Sequence, residues 1–227
     1  MKSGSKILRI LTLLKNEYGS PAPFRPTPPV DELIRTILSQ NTNDRNSLAA
    51  FAVLKKSFRP WDGLLKAETR HVAALIKHAG LSKIKAGRIK EVLAEIERRE
   101  GRINLASLKN MDAATALGYL ESLKGVGPKT AACVLLFSFG RPVMPVDTHI
   151  FRVARRLGLI GDKTRIEEAH QILTGLVPKD LIYKFHLGII EHGRRTCKAQ
   201  NPCCGFCVLS NLCAFHGKRR YMKRAGK

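Results

Sequence analysis

Apolar residues recur at helical spacing along most of this chain, and nowhere do they alternate convincingly as a strand would. Ile7, Leu8, Ile10, Leu11 and Leu14 form the first such run. Arg9 interrupts it, so the segment reads as an amphipathic helix rather than as the apolar stretch of a secretory signal. Five of the eleven prolines then fall in PAPFRPTPP, residues 21–29, which reads as an extended connector. From Val30 the helical period returns with Leu33, Ile34, Ile37 and Leu38; SQNTNDRN supplies capping residues, and Leu48, Phe51, Ala52 and Leu54 are expected to share one face. The pattern predicts further helices at about 70–79, 86–99, 112–123, 129–138, 148–157, 164–175 and 180–193. Glycines 80, 101, 125, 127, 140, 158 and 193 read as stops between them. With no internal repeat, the predicted fold class is all-α.

Charge changes the picture next. Forty Lys and Arg oppose eighteen Asp and Glu, a net charge of +22 over 227 residues, which favours polyanions, nucleic acid before an anionic membrane. No segment is long and apolar enough to span a bilayer. The chain is long enough to bury a core without covalent staples. The closing GKRRYMKRAGK has six basic residues and no acidic one, and reads as a solvated tail or a DNA contact.

Five of the six cysteines crowd into CKAQNPCCGFCVLSNLC, residues 197–213. A chain that needs no staples, in the reducing intracellular setting inferred here, points these thiols to metal rather than to disulfides. Cys197, Cys204, Cys207 and Cys213 form C-x6-C-x2-C-x5-C, a spacing that wraps four thiolates around one centre, with Cys203 as a bystander. Spacing alone leaves zinc and an iron-sulfur cluster both open. Cys133, in the apolar run TAACVLLF, reads as a core residue.

Two stretches carry candidate chemistry. In LKGVGPKTAACVLLFSFG, residues 123–140, a helix ending at Leu123, a turn with Gly125 and Gly127 and a new helix at Pro128 would leave unpaired amides beside a positive helix terminus. That geometry grips a phosphate without reading sequence, though a plain helix connection has the same local pattern. In MPVDTHIFRVARRLG, residues 144–158, Asp147 reads as an N-cap, and a fixed carboxylate there can also stabilise a developing sugar cation. His149 reads as a packed helix residue, since no partner lies at ligand spacing.

LKGVGPKTA, VDTHIFRV and the cysteine loop, in that order, resemble the endonuclease III family of DNA glycosylases in the helix-hairpin-helix superfamily with its Gly/Pro-rich loop and following Asp. LSQNTNDRN at 38–46 and GLSKIKAGRI at 80–89 extend the likeness over nearly the whole chain. The resemblance implies two helical lobes with a DNA groove between them: a six-helix barrel with the hairpin over 25–141, and a discontinuous lobe of 1–24 and 142–227 closed by a 4Fe-4S cluster on Cys197, Cys204, Cys207 and Cys213. It makes Lys129 the nucleophile and Asp147 the catalytic aspartate. It gives Gln40 and Leu81 the gap left by an extruded nucleotide, and Lys124, Gly125, Gly127, Arg194, Arg195 and Lys198 the DNA backbone. Lys124 stands where the family hairpin commonly has proline. Thr36 stands where the adenine-removing branch has Glu, which argues against adenine removal.

The activity so implied is excision of oxidised or ring-saturated pyrimidines from duplex DNA with strand cleavage at the abasic site by β-elimination. Substrates would be double-stranded DNA with a damaged base or an abasic site, acted on by a monomer in the cytoplasm or nucleoid. The alternatives are a thymine or uracil mismatch glycosylase of the same superfamily, which commonly lacks a lysine at position 129, and a non-catalytic zinc-containing DNA-binding protein.

Overall fold

The computed structural model describes residues 3–222, so the last five residues of the basic tail lie outside it. The described residues are helical without a strand, as the periodicity predicted. In chain order the helices are α1 (Ser3–Tyr18), α2 (Pro29–Ser39), α3 (Asp44–Ser57), α4 (Asp62–Lys66), α5 (Thr69–Leu75), α6 (Ser82–Glu100), α7 (Ala113–Glu121), α8 (Pro128–Phe139), α9 (Thr148–Arg156), α10 (Ile166–Leu176), α11 (Ile182–Arg195) and α12 (Lys218–Met222). They divide between two compact units, one made of Arg25–Arg141 and the other of the chain up to Phe24 and again from Pro142.

In the Arg25–Arg141 unit, α2 packs against α3 and α8. Leu33, Ile34, Ile37 and Leu38 on α2 are all but inaccessible, as are Ala131, Val134 and Leu135 on α8 and Ile89, Leu93 and Ile96 on α6. Asn43 caps α3 by accepting from the Asn46 amide at 2.9 Å. The buried face of α3 is Ser47, Ala50 and Leu54, not the expected Leu48, Phe51, Ala52 and Leu54; Leu48 is half exposed. The polar Ser47 tolerates burial because its hydroxyl donates to the Asp44 carbonyl.

Lys85 is the largest fully buried side chain, 2% exposed, and its ammonium donates to the carbonyls of Leu38 at 2.7 Å and Ala79 at 2.8 Å. Burial pulls its pKa down, and these carbonyls are what solvate the charge. It thereby ties the end of α2 to the turn that precedes α6. Lys85→Met, which leaves both carbonyls unpaired, is expected to cost about 2–4 kcal/mol of stability; urea unfolding measures this.

In the other unit, α11 lies against α1 and α9. Ile7, Ile10 and Leu14 of α1, Ile150, Val153 and Ala154 of α9 and Phe185 and Ile189 of α11 form its core, while Leu8 stays exposed. Gly193 is not the stop its residue type suggested. It lies inside α11, where a Cβ would stand 3.0 Å from the Cβ of His149 and 3.3 Å from Val153 Cγ2. The glycine thus serves the close approach of α9 and α11 rather than a turn. No described helix is long and apolar enough to cross a membrane.

Candidate DNA-repair site

The hairpin is built in the Arg25–Arg141 unit. Helix α7 ends at Glu121, two residues before the expected Leu123, because Leu123 turns into the core and accepts from the Val126 amide at 2.9 Å. Gly125 follows with φ 86°, a backbone that glycine alone adopts without strain. Gly127 is the N-cap of α8 and offers no side chain to the first-turn amides, and Pro128 takes the first helical position. The amides of Lys129 and Thr130 therefore sit at a helix start with no intrahelical acceptor. Lys124 is exposed and pairs with Glu91 at 3.3 Å, a solvated contact of small energetic weight.

Lys129 is half-buried in the first turn of α8 and has no hydrogen-bond or ion-pair partner among the described residues. Cys133, one turn on, lies in the core as the apolar run predicted. Thr36 is buried, and its hydroxyl donates to Glu32 at 3.3 Å.

Gln40 and Leu81 belong to the same unit. Gln40 is the extended residue that closes α2. Leu81 has φ 49° and is 52% exposed, directly after Gly80 at φ 66°. A left-handed leucine costs about 1–2 kcal/mol, and exposure of so large an apolar side chain adds no burial to offset it. The local sequence suggested a core residue as one reading; the structure puts the side chain in solvent in a strained backbone, the combination found at functional positions.

Asp147 caps α9 in the second unit. Its Oδ1 accepts from the Ile150 amide at 2.7 Å, and its other oxygen has no hydrogen bond among the described residues. Capping therefore fixes the carboxylate through one oxygen and leaves the other without a hydrogen bond among the described residues. His149 is a helix residue whose Nδ1 lies 3.1 Å from the Arg152 guanidinium.

Cys197, Cys204, Cys207 and Cys213 wall one pocket with Val153 and Leu209; Cys203 borders it too but is itself exposed. Burial pushes the Cys207 thiol up to about 11 and also raises Cys204, so bare thiolates are disfavoured there. A cationic centre would reverse that preference. Among the described residues no three His, Cys, Asp or Glu side chains stand close enough to hold a single ion. Four cysteine thiols around one pocket are a donor set that either zinc or an iron-sulfur cluster takes.

Two supports of this pocket had no sequence signal. The Arg156 guanidinium donates to Cys197 Sγ at 3.3 Å and to the Lys198 carbonyl at 2.8 Å, and lies over the Phe215 ring. Its carbonyl accepts from the Ala214 amide at 2.8 Å, so one residue holds both ends of the cysteine loop. His192, driven down to about 4 by burial and hence neutral, sets Nε2 3.6 Å from Cys207 Sγ and Nδ1 2.9 Å from the Tyr18 hydroxyl. Arg194, Arg195 and Lys198 are exposed where the loop begins, Arg195 pairing with Glu191 and covering the Tyr18 ring.

A family signature described as HhH-GPD superfamily base excision DNA repair protein matches residues 34–179. Endonuclease III of Thermotoga maritima is 38% identical over 200 residues, 88% of this chain and 89% of that one. The chain belongs to the endonuclease III family. The expectation drawn from its three motifs is thus met, and with it the assignment to base excision repair. A structure described as a non-covalent endonuclease III–DNA complex matches with a TM-score of 0.81 at 26% identity, covering 96% of this chain and 98% of that one. A trapped endonuclease III–DNA covalent intermediate matches with a TM-score of 0.80 at 27% identity, covering 95% and 97%. Family membership and the hairpin geometry describe the same stretch, since the matched region runs through the Gly125–Lys129 turn and Asp147.

Proposed function

We propose that this endonuclease III family protein removes oxidised or ring-saturated pyrimidines from duplex DNA and then cuts the strand at the resulting abasic site. The observation that carries the reading is Lys129: a half-buried residue without a protein partner among the described residues, in the first turn of a helix that opens from the hairpin.

Lys129 attacks C1′ of the damaged nucleotide, which must first leave the stack because the anomeric carbon is unreachable within it. The glycosidic C–N bond breaks and the base leaves with its electron pair, taking up a proton. Asp147, through its unpartnered oxygen, receives the amine proton and stabilises positive charge on the sugar. The sugar ring opens to an imine with Lys129, the C2′ proton is lost, the C3′–O bond breaks on the 3′ side, and water releases the lysine. Both side chains must reach one sugar for this sequence to run.

The hairpin amides with Gly125, Gly127 and Lys124, together with Arg194, Arg195 and Lys198, engage DNA phosphates, in keeping with the net charge of +22. Gln40 and Leu81 fill the vacated stack, Leu81 as an apolar wedge of the kind that holds bases apart. Cys197, Cys204, Cys207 and Cys213 hold a 4Fe-4S cluster, which supplies the positive charge that keeps four half-buried thiolates deprotonated and orders residues 197–213. Membership of the endonuclease III family supports this over the zinc alternative, and the lysine at 129 favours a lyase over a mismatch glycosylase without one.

The reading is tested by borohydride trapping and strand cleavage on duplexes with thymine glycol, hydroxylated cytosine, uracil or thymine opposite guanine, and an abasic site. Adducts with the oxidised pyrimidines support it, and cleavage confined to the guanine mispairs sinks it. Purified protein is expected to be brown, with iron and sulfide, and Cys207→Ser to lose most of the iron and the visible absorption. A colourless protein with one zinc defeats the cluster assignment.

A further inference from the structure

Helix α1 ends at Tyr18, whose hydroxyl meets the far end of the chain: it stands 2.9 Å from Nδ1 of His192 on α11 and 2.7 Å from the Thr196 hydroxyl. The other ring nitrogen of His192, Nε2, lies 3.6 Å from Cys207 Sγ, and the ring walls the cysteine pocket. His192 is 1% exposed, and no carboxylate offsets its burial, so the ring is neutral and carries one proton. A sulfur bound to metal has lost its proton and can only accept. The single ring proton therefore belongs on Nε2, facing Cys207, which leaves Nδ1 as the acceptor for the Tyr18 hydroxyl. The Tyr18 oxygen in turn accepts from Thr196. Donation then runs one way, from Thr196 to Tyr18 to His192 to Cys207, with every partner satisfied.

We propose that His192 is a positioning residue for the cluster: its Nε2–H, supported by Tyr18, donates to the Cys207 thiolate and raises the cluster's reduction potential without itself being a ligand. This rests on the reading of the four cysteines as a 4Fe-4S site. Adding an electron to a cluster increases the negative charge its sulfurs carry, so a donor aimed at one of them stabilises the reduced state more than the oxidised one. Tyr18 contributes the donor that Nδ1 needs once the proton sits on Nε2; without it, that tautomer leaves a buried acceptor unpaired. The rival role for the same ring is direct ligation through Nε2, with the proton on Nδ1 and Tyr18 accepting it. The two roles differ in what the ring's removal does to the iron.

The test is direct electrochemistry of the free holoprotein, purified anaerobically, with iron and sulfide content and thermal melting measured on the same samples. His192→Phe is expected to keep the iron and to lower the reduced-to-oxidised ratio at a fixed potential about tenfold, which is about 60 mV for a one-electron couple. Tyr18→Phe should shift the potential in the same direction by less, and to add nothing in the His192→Phe background. His192→Gln, whose amide keeps a donor, should retain most of the wild-type potential. A merely structural histidine would lower the melting temperature and leave the potential standing. An unchanged potential in folded His192→Phe overturns the inference, as does loss of its iron, which would make the ring a ligand. Should His192→Phe not fold, an unchanged potential in Tyr18→Phe overturns it. In each of these cases a brown wild-type protein keeps the cluster reading; a colourless wild-type protein with one zinc overturns both.

Discussion

Lys129→Gln is expected to abolish the borohydride-trapped adduct and to slow base excision by on the order of 10³-fold or more, since a nucleophile that works as part of a unit is not replaced by its neighbours. The substitution removes an amine that has no structural partner, so the melting temperature should stay within about 2 °C of wild type. Binding to a duplex with an abasic-site analogue should persist, because the phosphate contacts come from the hairpin amides and from other cations. Gel trapping, single-turnover rates and binding on one preparation separate these outcomes. Trapping that survives the change would remove Lys129 from the mechanism.

Asp147→Asn is the second large effect, and its value lies in what it leaves intact. Asn caps helices as well as Asp does, so the bond to the Ile150 amide, 2.7 Å in the native protein, has an isosteric replacement. Stability should move by less than about 0.5 kcal/mol. The charge is lost, however, and with it the acceptor for the amine proton and the anion facing the sugar, so excision should fall about 10²- to 10³-fold. Asp147→Ala removes the cap as well and should cost about 1 kcal/mol of stability in addition. Equal stability losses for both variants, with excision retained in Asp147→Asn, would reduce Asp147 to a capping residue.

The two effects differ in kind. Lys129 is identified by what it lacks, a partner, whereas Asp147 is identified by a bond that engages one oxygen and spares the other. In the proposed mechanism, catalysis uses groups that local structure holds in place without consuming them. The same logic covers the cysteines: Arg156 grips residues 197–199 through its side chain and residues 213–214 through its carbonyl, and so shapes a ligand loop without being a ligand.

By itself the sequence determined the helical class, the turn at Gly125 and Gly127, the cap at Asp147, the thiol spacing of residues 197–213 and the family. Each of these is local: a hydrophobic period, a glycine that must take positive φ, a carboxylate three residues from the amide it caps, cysteines within one loop. Tertiary structure alone decided which face of α3 is buried, that Gly193 serves helix contact rather than helix ending, and that Leu81 is strained and exposed. It alone also revealed His192 between Tyr18 and Cys207, separated from them by 174 and 15 residues, and Arg156 at both ends of the cysteine loop. The physical reason is range: periodicity and capping act within a turn or two of the chain, whereas the direction in which a long side chain spends its donors is settled by whatever packing brings beside it, and no local pattern encodes that.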